Sequence, residues 1–415
     1  MRLIRISTNA PGYLQQFYEN TPELHDKPYL VQYQTLASDC YGWADFWTHA
    51  LGKLRYEVWE LVGNAERMQK KWAEEYAAPY RRTRWMTDIL TAQVKFFQPD
   101  ILFVNDYRTY SADFFRHLKR ECPSIRLILG WCGAPYVDGS VFKAYDIVLS
   151  NIPELVEHFQ QKGYCCKYMR HAFDPRILKK INSATENAVD FSFLGSIVKH
   201  SDFHKTREAI LRELIRSTDI QLWIETSNPP QPHQWVWPIR QFAYDAVQCL
   251  KRLPAGWNVL RAHPKLQHYA EMNYRPEARG VIDPEIVKQS HPPLYGLKMY
   301  QQLYESKITL NTHIDLASQS ASNMRLYEAT GVGTCLLTEW QPNLHEIFEP
   351  DVEVVTYHRP EEIAEKVRYL LSHDGERRQI AEAGQRRTLK SHTFDIRAEE
   401  LDASIREVLG PKSPL

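Results

Sequence analysis

The chain has no excess of charge of either sign: 51 lysines and arginines stand against 51 aspartates and glutamates in 415 residues. That balance removes the broad basic field by which a protein holds nucleic acid or an anionic bilayer, so any phosphate binding has to be local. There is no Cys-x-x-Cys. The seven cysteines are scattered and include the adjacent Cys165 and Cys166, which excludes the common zinc and dithiol spacings and fits a reducing compartment. No apolar run approaches the roughly 18 residues of a membrane span, and the opening "MRLIRIST" alternates like a strand with no signal-peptide core behind it. The expectation is a cytoplasmic chain without an integral membrane segment, leaving room for a peripheral contact. Internal repeats and low-complexity tracts are also missing. His200 and His204 stand four apart without a third ligand nearby, and "HEIFE" (345–349) lacks the second histidine of a zinc protease motif.

What is present is alternation. Strand-like and helix-like segments take turns through the first 175 residues: "RLIRIS", "WADFWTHALGKL", "YEVWELV", "MTDILTAQVKFF", "DILFVND", "SADFFRHLKREC", "IRLILGWC", "YDIVLSN" and "IPELVEHFQQKG". Such order predicts an α/β fold, a parallel sheet with helices on both faces. A polar stretch, "KKINSATENAVD" (179–190), breaks the pattern, which restarts with "FSFLGSI", a helix and "IQLWIET". Two doubly wound, Rossmann-like domains in tandem are expected, over residues 1–178 and 188–395, with a helix and tail at 396–415 packing back on the first. Residues 227–256, rich in proline and tryptophan at "NPPQPHQWVWP", read as an insertion or a cleft-lining loop, and "GPKSPL" as a loose tail.

In parallel α/β sheets ligands sit outside the carboxyl ends of the strands. In the second domain that rule selects the turn from Gly195 to His200, residues 261–265, the segment 311–325 and the loop 338–346. The polar loop 316–323, "LASQSASN", ends in Ser322 and Asn323 and runs into a helix whose free N–H groups favour an anion. Arg325 stands in the first turn, a poor place for a cation unless an anion is near. Glu328 follows on the same face, where a carboxylate can accept two hydrogen bonds from a vicinal diol such as a ribose. The bland alternative is that Arg325 pairs with a neighbouring acid. His313, after "KITLNT", reaches the same place or is a packed or capping histidine. In the first domain Asp39 and Asp106 lie where a strand or helix end meets an interdomain cleft, so either could orient or deprotonate an acceptor hydroxyl. Their ordinary roles are helix N-cap for Asp39 and turn residue for Asp106. Trp131, in "GWCGAP", suits a sugar face or a buried turn.

The stretches "YGLKMYQQLYESKITLN", "NMRLYEATGVGTCLLTEWQPNLHEIFEP", "EVVTYHRPEEIAEKVRYLL" and "AGQRRTLKSHTFDIRAEEL" resemble the C-terminal domain of GT-B glycosyltransferases, in the CgeB-like group related to the retaining glycosyltransferase family 4. The resemblance implies a nucleotide-sugar donor on the second domain, a glycan, protein or small-molecule acceptor mainly on the first, and no cofactor. It assigns Glu328 to the ribose, the loop through Asn323 and Arg325 to the diphosphate, and Asn343 and Glu346 to the loop after the next strand. In one place the chain departs from that pattern: the acid expected eight positions before Glu328 is Ser320. The chain also lacks an Asp-x-Asp metal clamp, so cations must neutralise the departing diphosphate. Arg325 is the first choice, with Lys199, Arg207, Arg261 and Lys265 as alternatives that otherwise read as surface charge. A non-catalytic GT-B protein or a sugar-nucleotide epimerase would share most of these features.

Overall fold

The computed structural model describes residues 1–134, 136, 138–185, 188–197, 204–225, 236–253, 260, 266, 270, 282–313 and 319–410. Lys199, His200, Arg261, Lys265, the stretch 227–235 and the tail 411–415 fall outside them. Two six-stranded sheets organise the chain. The first contains β1 (Arg2–Ser7), β2 (Glu57–Val62), β3 (Ile101–Val104), β4 (Leu127–Trp131), β5 (Ile147–Ser150) and β6 (Cys166–Tyr168), in the order β2-β1-β3-β4-β5-β6. The second contains β7 (Val189–Gly195), β8 (Gln221–Ile224), β9 (Ser290–His291), β10 (Ser306–Asn311), β11 (Cys335–Glu339) and β12 (Val355–Tyr357), in the order β12-β11-β10-β7-β8-β9. All the strand pairs are parallel.

The central strands explain why this architecture forms. β3 and β5 are buried at every residue, as strands covered by helices on both faces must be, and their sequences "ILFV" and "IVLS" carry no polar alternation. Each sheet winds outward from its first strand and then crosses back to the other side of it. The order of winding therefore reverses between β1 and β3 in the first sheet and between β7 and β10 in the second, and these two crevices are the natural ligand positions.

Local chemistry sets the helix limits. Ser111 accepts a hydrogen bond from the Phe114 N–H to start the helix Ala112–Glu121, and Pro153 opens Pro153–Gln161 at the position where a missing N–H costs nothing. Gly333, at φ +91°, ends the helix Arg325–Val332 in the left-handed conformation and turns the chain into β11. Not all of 227–256 is loop: residues Val236–Lys251 form a helix of 16 residues. The sequence expectation for that stretch is corrected there, because the prolines and the polar start mask the helical spacing that follows.

One hydrophobic cluster joins both halves. It includes Trp43, Phe46, Trp47, Phe103 and Leu129 of the first sheet's layer, and Leu303, Leu326, Tyr327 and Val332 of the second. The last helix, Phe394–Leu409, lies in it too. Phe394 packs on Phe46 and Trp47, with ring centroids 5.0 and 5.4 Å away, while Lys53 pairs with Asp395 at 2.7 Å and the Tyr56 hydroxyl donates to Asp402 at 2.6 Å.

Candidate active site at the facing crevices

The crevice of the second sheet gathers most of the residues selected from the sequence. Arg325 reaches back from its helix to the end of β7, where Nη2 donates to the Leu194 carbonyl at 3.1 Å, beside Gly195. Its Nη1 lies 3.0 Å from Glu328 Oε2, and both side chains are largely buried. Burial raises the Glu328 carboxyl above its ordinary value, and the adjacent guanidinium works against that shift. The unliganded pair therefore satisfies itself. Met324, at the N-cap of the helix that carries it, makes no capping hydrogen bond with its side chain. Gly195 is required by its neighbour, because a Cβ there would lie 2.8 Å from the Phe193 ring.

Asn323 is the knot of the loop. Its Nδ2 donates to Asn311 Oδ1 at 3.1 Å and to the Thr312 carbonyl at 2.8 Å, and its Oδ1 lies 3.0 Å from His313 Nδ1. His313 also approaches the Glu339 carbonyl at 3.3 Å, and burial holds its pKa below the ordinary value. Asn343 grips the same loop from β11's exit, accepting from the Ala321 N–H at 2.7 Å and donating to its carbonyl at 3.3 Å. These bonds tie Ala321 and Asn323 to the exits of β10 and β11 at the helix start.

Arg207 corrects a sequence expectation. It is a buried residue and not surface charge: Nε donates to Thr312 Oγ1 at 2.8 Å, Nη2 to the Thr312 carbonyl at 3.0 Å and Nη1 to the Ser196 carbonyl at 2.8 Å. It joins the turn after β7 to the exit of β10, so a second guanidinium lies behind the crevice. His204, on the same helix face, has its Nδ1 3.4 Å from Arg207 Nη1, a cation that disfavours a metal there.

The first domain closes over this loop. Asn151, just after β5, donates from Nδ2 to the Ser322 carbonyl at 2.8 Å, and Ser320 Oγ donates to Glu154 Oε2 at 2.8 Å. Arg170 pairs with Glu346 at 2.9 Å across the same boundary, which places Glu346 on the rim. Tyr41 lies close enough for its hydroxyl to feel the charges of Glu225 and Glu328, and burial raises its pKa. Neither Asn151 nor Glu154 was singled out from the sequence, although both follow a strand exit, the rule that selected the second-domain residues.

The two first-domain acids are differently placed. Asp39 is the C-cap residue of Tyr29–Ser38, where the sequence suggested the N-cap of the next helix. Its carboxylate accepts from the Leu297 N–H at 3.4 Å, at the start of the second domain's helix Gly296–Tyr304. It caps a helix in the other domain. Burial raises its pKa, while the nearby Tyr13 hydroxyl and the Leu297 N–H work against that shift. Asp106 accepts from the Arg108 and Thr109 N–H groups at 2.7 and 3.0 Å, from Thr8 Oγ1 at 2.6 Å, and from the Thr109 hydroxyl. Its carboxylate folds its own turn and ties β3's exit to β1's. Trp131 is buried edge-on against Trp43, with centroids 4.9 Å apart, and faces no open cleft.

Comparison with known proteins bears on the fold. Residues 240–403 match the family model described as glycosyl transferase-like. No curated protein matches the sequence. Among solved structures, sucrose-phosphate synthase from Thermosynechococcus elongatus superposes with a TM-score of 0.55 at 10% identity, covering 99% of each chain. Anabaena HepE in complex with UDP-glucose gives a TM-score of 0.53 at 10% identity over 98% of this chain and 100% of that one. A glycosyltransferase from Rickettsia africae ESF-5 gives 0.51 at 10% identity over 99% of each. At such identity the likeness concerns the fold. The chain thus carries a glycosyl transferase-like domain on the two-domain Rossmann-like fold of the GT-B glycosyltransferases.

Proposed function

We propose that the protein transfers a sugar from a nucleoside diphosphate sugar to an acceptor hydroxyl, with retention and without a metal ion. The observation that carries this reading is the buried Arg325–Glu328 pair beside the ends of β7 and β10. On donor binding the guanidinium turns from Glu328 to the diphosphate, one anion exchanged for another, and the freed carboxylate takes hydrogen bonds from the ribose hydroxyls. The positive dipole end of Arg325–Val332 and the buried charge of Arg207 add to the field at the leaving group. Gly195 leaves room for the chain turn against the donor, while Ser322, Asn323, His313 and Asn343 hold the loop, and Glu346 stands at its rim.

In the reaction the bond from the anomeric carbon to the diphosphate oxygen breaks, a bond from that carbon to the acceptor oxygen forms, and the acceptor proton passes to the departing phosphate. Retention is supported by the state of the first-domain acids. Asp39 and Asp106 already accept the hydrogen bonds that hold a helix start and a turn, whereas inversion needs a free base.

HepE, similar in fold, is described with UDP-glucose, so a uridine donor is the first to test. Calorimetry with UDP, GDP and dTDP should show binding of one of them, and Glu328→Gln should weaken it by roughly 10–100-fold, as the loss of charged hydrogen bonds would. Affinity unchanged in that variant removes the ribose role. Ser320, standing where the resemblance expects an acid, favours a second reading in which the fold binds a nucleotide or glycan without turnover. Donor consumption in the presence of acceptors excludes it.

A further inference from the structure

The first sheet has a reversal crevice of its own, between β1 and β3, and it holds a cavity of about 180 Å³. The cavity opens at the carboxyl ends of three strands, among Ser7, Thr8 and Asn9 after β1, Val62 at the end of β2 and Asn105 after β3. Its size is that of a single ring, well below the roughly 300–1,000 Å³ of pockets for larger ligands.

Charge in the wall is cancelled internally. Arg5 and Glu60 are the charged residues among those that line it, and they are buried and paired through Arg5 Nε and Glu60 Oε2. The Arg5 Nη2 is used by the Ala44 carbonyl at 2.9 Å, and the other Glu60 oxygen accepts from the Thr48 N–H at 2.7 Å and the Thr48 hydroxyl at 2.9 Å. A phosphate or carboxylate entering the cavity would meet a guanidinium whose charge Glu60 already neutralises, and would lose its water.

The rest of the wall suits a polyhydroxylated ring. Tyr33, Tyr41 and Trp43 offer aromatic surface, and Asn105 Oδ1 is buried with no hydrogen-bond partner among the described residues, an acceptor waiting for a donor. Tyr41 also places the cavity at the boundary with the second domain, since its ring meets that of Tyr295 edge-on, with centroids 5.8 Å apart.

We infer that this cavity binds the acceptor and that the acceptor presents an uncharged sugar ring, neither phosphorylated nor acidic. The assignment as acceptor rests on the proposed sugar transfer, while the preference for a neutral ring rests on the cavity alone. Asn105 Oδ1 accepts a hydrogen bond from a sugar hydroxyl, and the aromatic rings cover a sugar face.

The test is saturation-transfer NMR on the full chain with methyl glucoside, methyl galactoside and methyl mannoside, against glucose 6-phosphate and glucuronate. At least one neutral glycoside should bind, and both charged sugars should fail to compete. Asn105→Ala should weaken that binding roughly tenfold by removing one hydrogen bond, and Ala37→Leu, which fills the cavity from its wall, should abolish it. Thermal melts of the two variants confirm that each is folded, and either one suffices. Binding of a charged sugar more tightly than its neutral counterpart, no binding of any neutral glycoside, or binding indifferent to the folded variants overturns the inference. Calorimetry with nucleotides on the wild type is read separately: a chain that binds no nucleotide but does bind neutral glycosides in the cavity loses the transfer reading and keeps the site.

Discussion

At the scale of single residues, charge that has left water decides the behaviour. Arg325 and Glu328 are each other's partner in a largely buried setting, so Arg325→Ala strands a carboxylate and should destabilise the chain by about 3 kcal/mol. Replacing both, as Arg325→Met with Glu328→Gln, should recover much of that stability while turnover stays at least about 100-fold down. Chemical denaturation and a donor-consumption assay separate the two effects, and restored turnover in the double variant would remove the diphosphate role of Arg325. His171 gives a second prediction. It is buried beside Trp131 and Trp43, its Nδ1 has no hydrogen-bond partner among the described residues, and burial followed by the Arg397 charge lowers its pKa to about 3. The unfolded imidazole takes its proton near pH 6.5, so between those limits the unfolded state binds more protons than the folded one. This contribution to stability is complete above pH 6.5 and is lost as pH falls toward 3. His392, lowered to about 4, acts in the same direction. His171→Phe should flatten the dependence of melting temperature on pH across that window, and an unaltered slope would show that His171 does not set it.

At the scale of elements, close approach matters more than helix propensity. The helix Arg325–Val332 is pressed against Phe173, at the end of the first domain, and a Cβ on Gly331 would enter that ring. Gly331→Ala should therefore cost about 1–3 kcal/mol despite alanine's better helix propensity. Gly375, in the helix Asp374–Ser391, has nothing near a prospective Cβ, and Gly375→Ala should stabilise by about 0.5–1 kcal/mol. Measuring both by denaturation checks that packing sets the sign. The sheet order was not legible in the same way as the elements. Strands such as "DILFVND" and "YDIVLSN" declare themselves by apolar runs between helices, whereas the short β6 and β9 carry too few residues for any period to show. The helix Val236–Lys251 was hidden by the prolines before it.

At the scale of the whole molecule, the last helix binds the two halves into one body. Phe394, Ala398, Leu401 and Ile405 are buried in the shared cluster, and burial of each large side chain contributes roughly 1.5–3 kcal/mol. A chain ending at Ser391 should lose on the order of 5–10 kcal/mol, comparable to the total stability of a domain. It should be insoluble or melt without cooperativity, and a cooperative melt near the full-length temperature would show that the halves are independent.

The candidate site divides along the same line. Gly195, His313, Ser322, Asn323, Arg325 and Glu328 could be selected from the chain alone, because strand exits, a polar loop and a helix start are local features written in order. The alternating parallel fold was legible for the same reason, through periodicity and length. Other features come from residues far apart in sequence, and only the tertiary structure decided them. Arg207 is buried by Thr312 and Ser196, Asp39 caps a helix that begins at Gly296, and Asn151 holds Ser322. Arg5 and Glu60 cancel one another inside the wall of a cavity. A charged residue reads the same in sequence whether water or a partner surrounds it, and that difference in surroundings sets what it can bind.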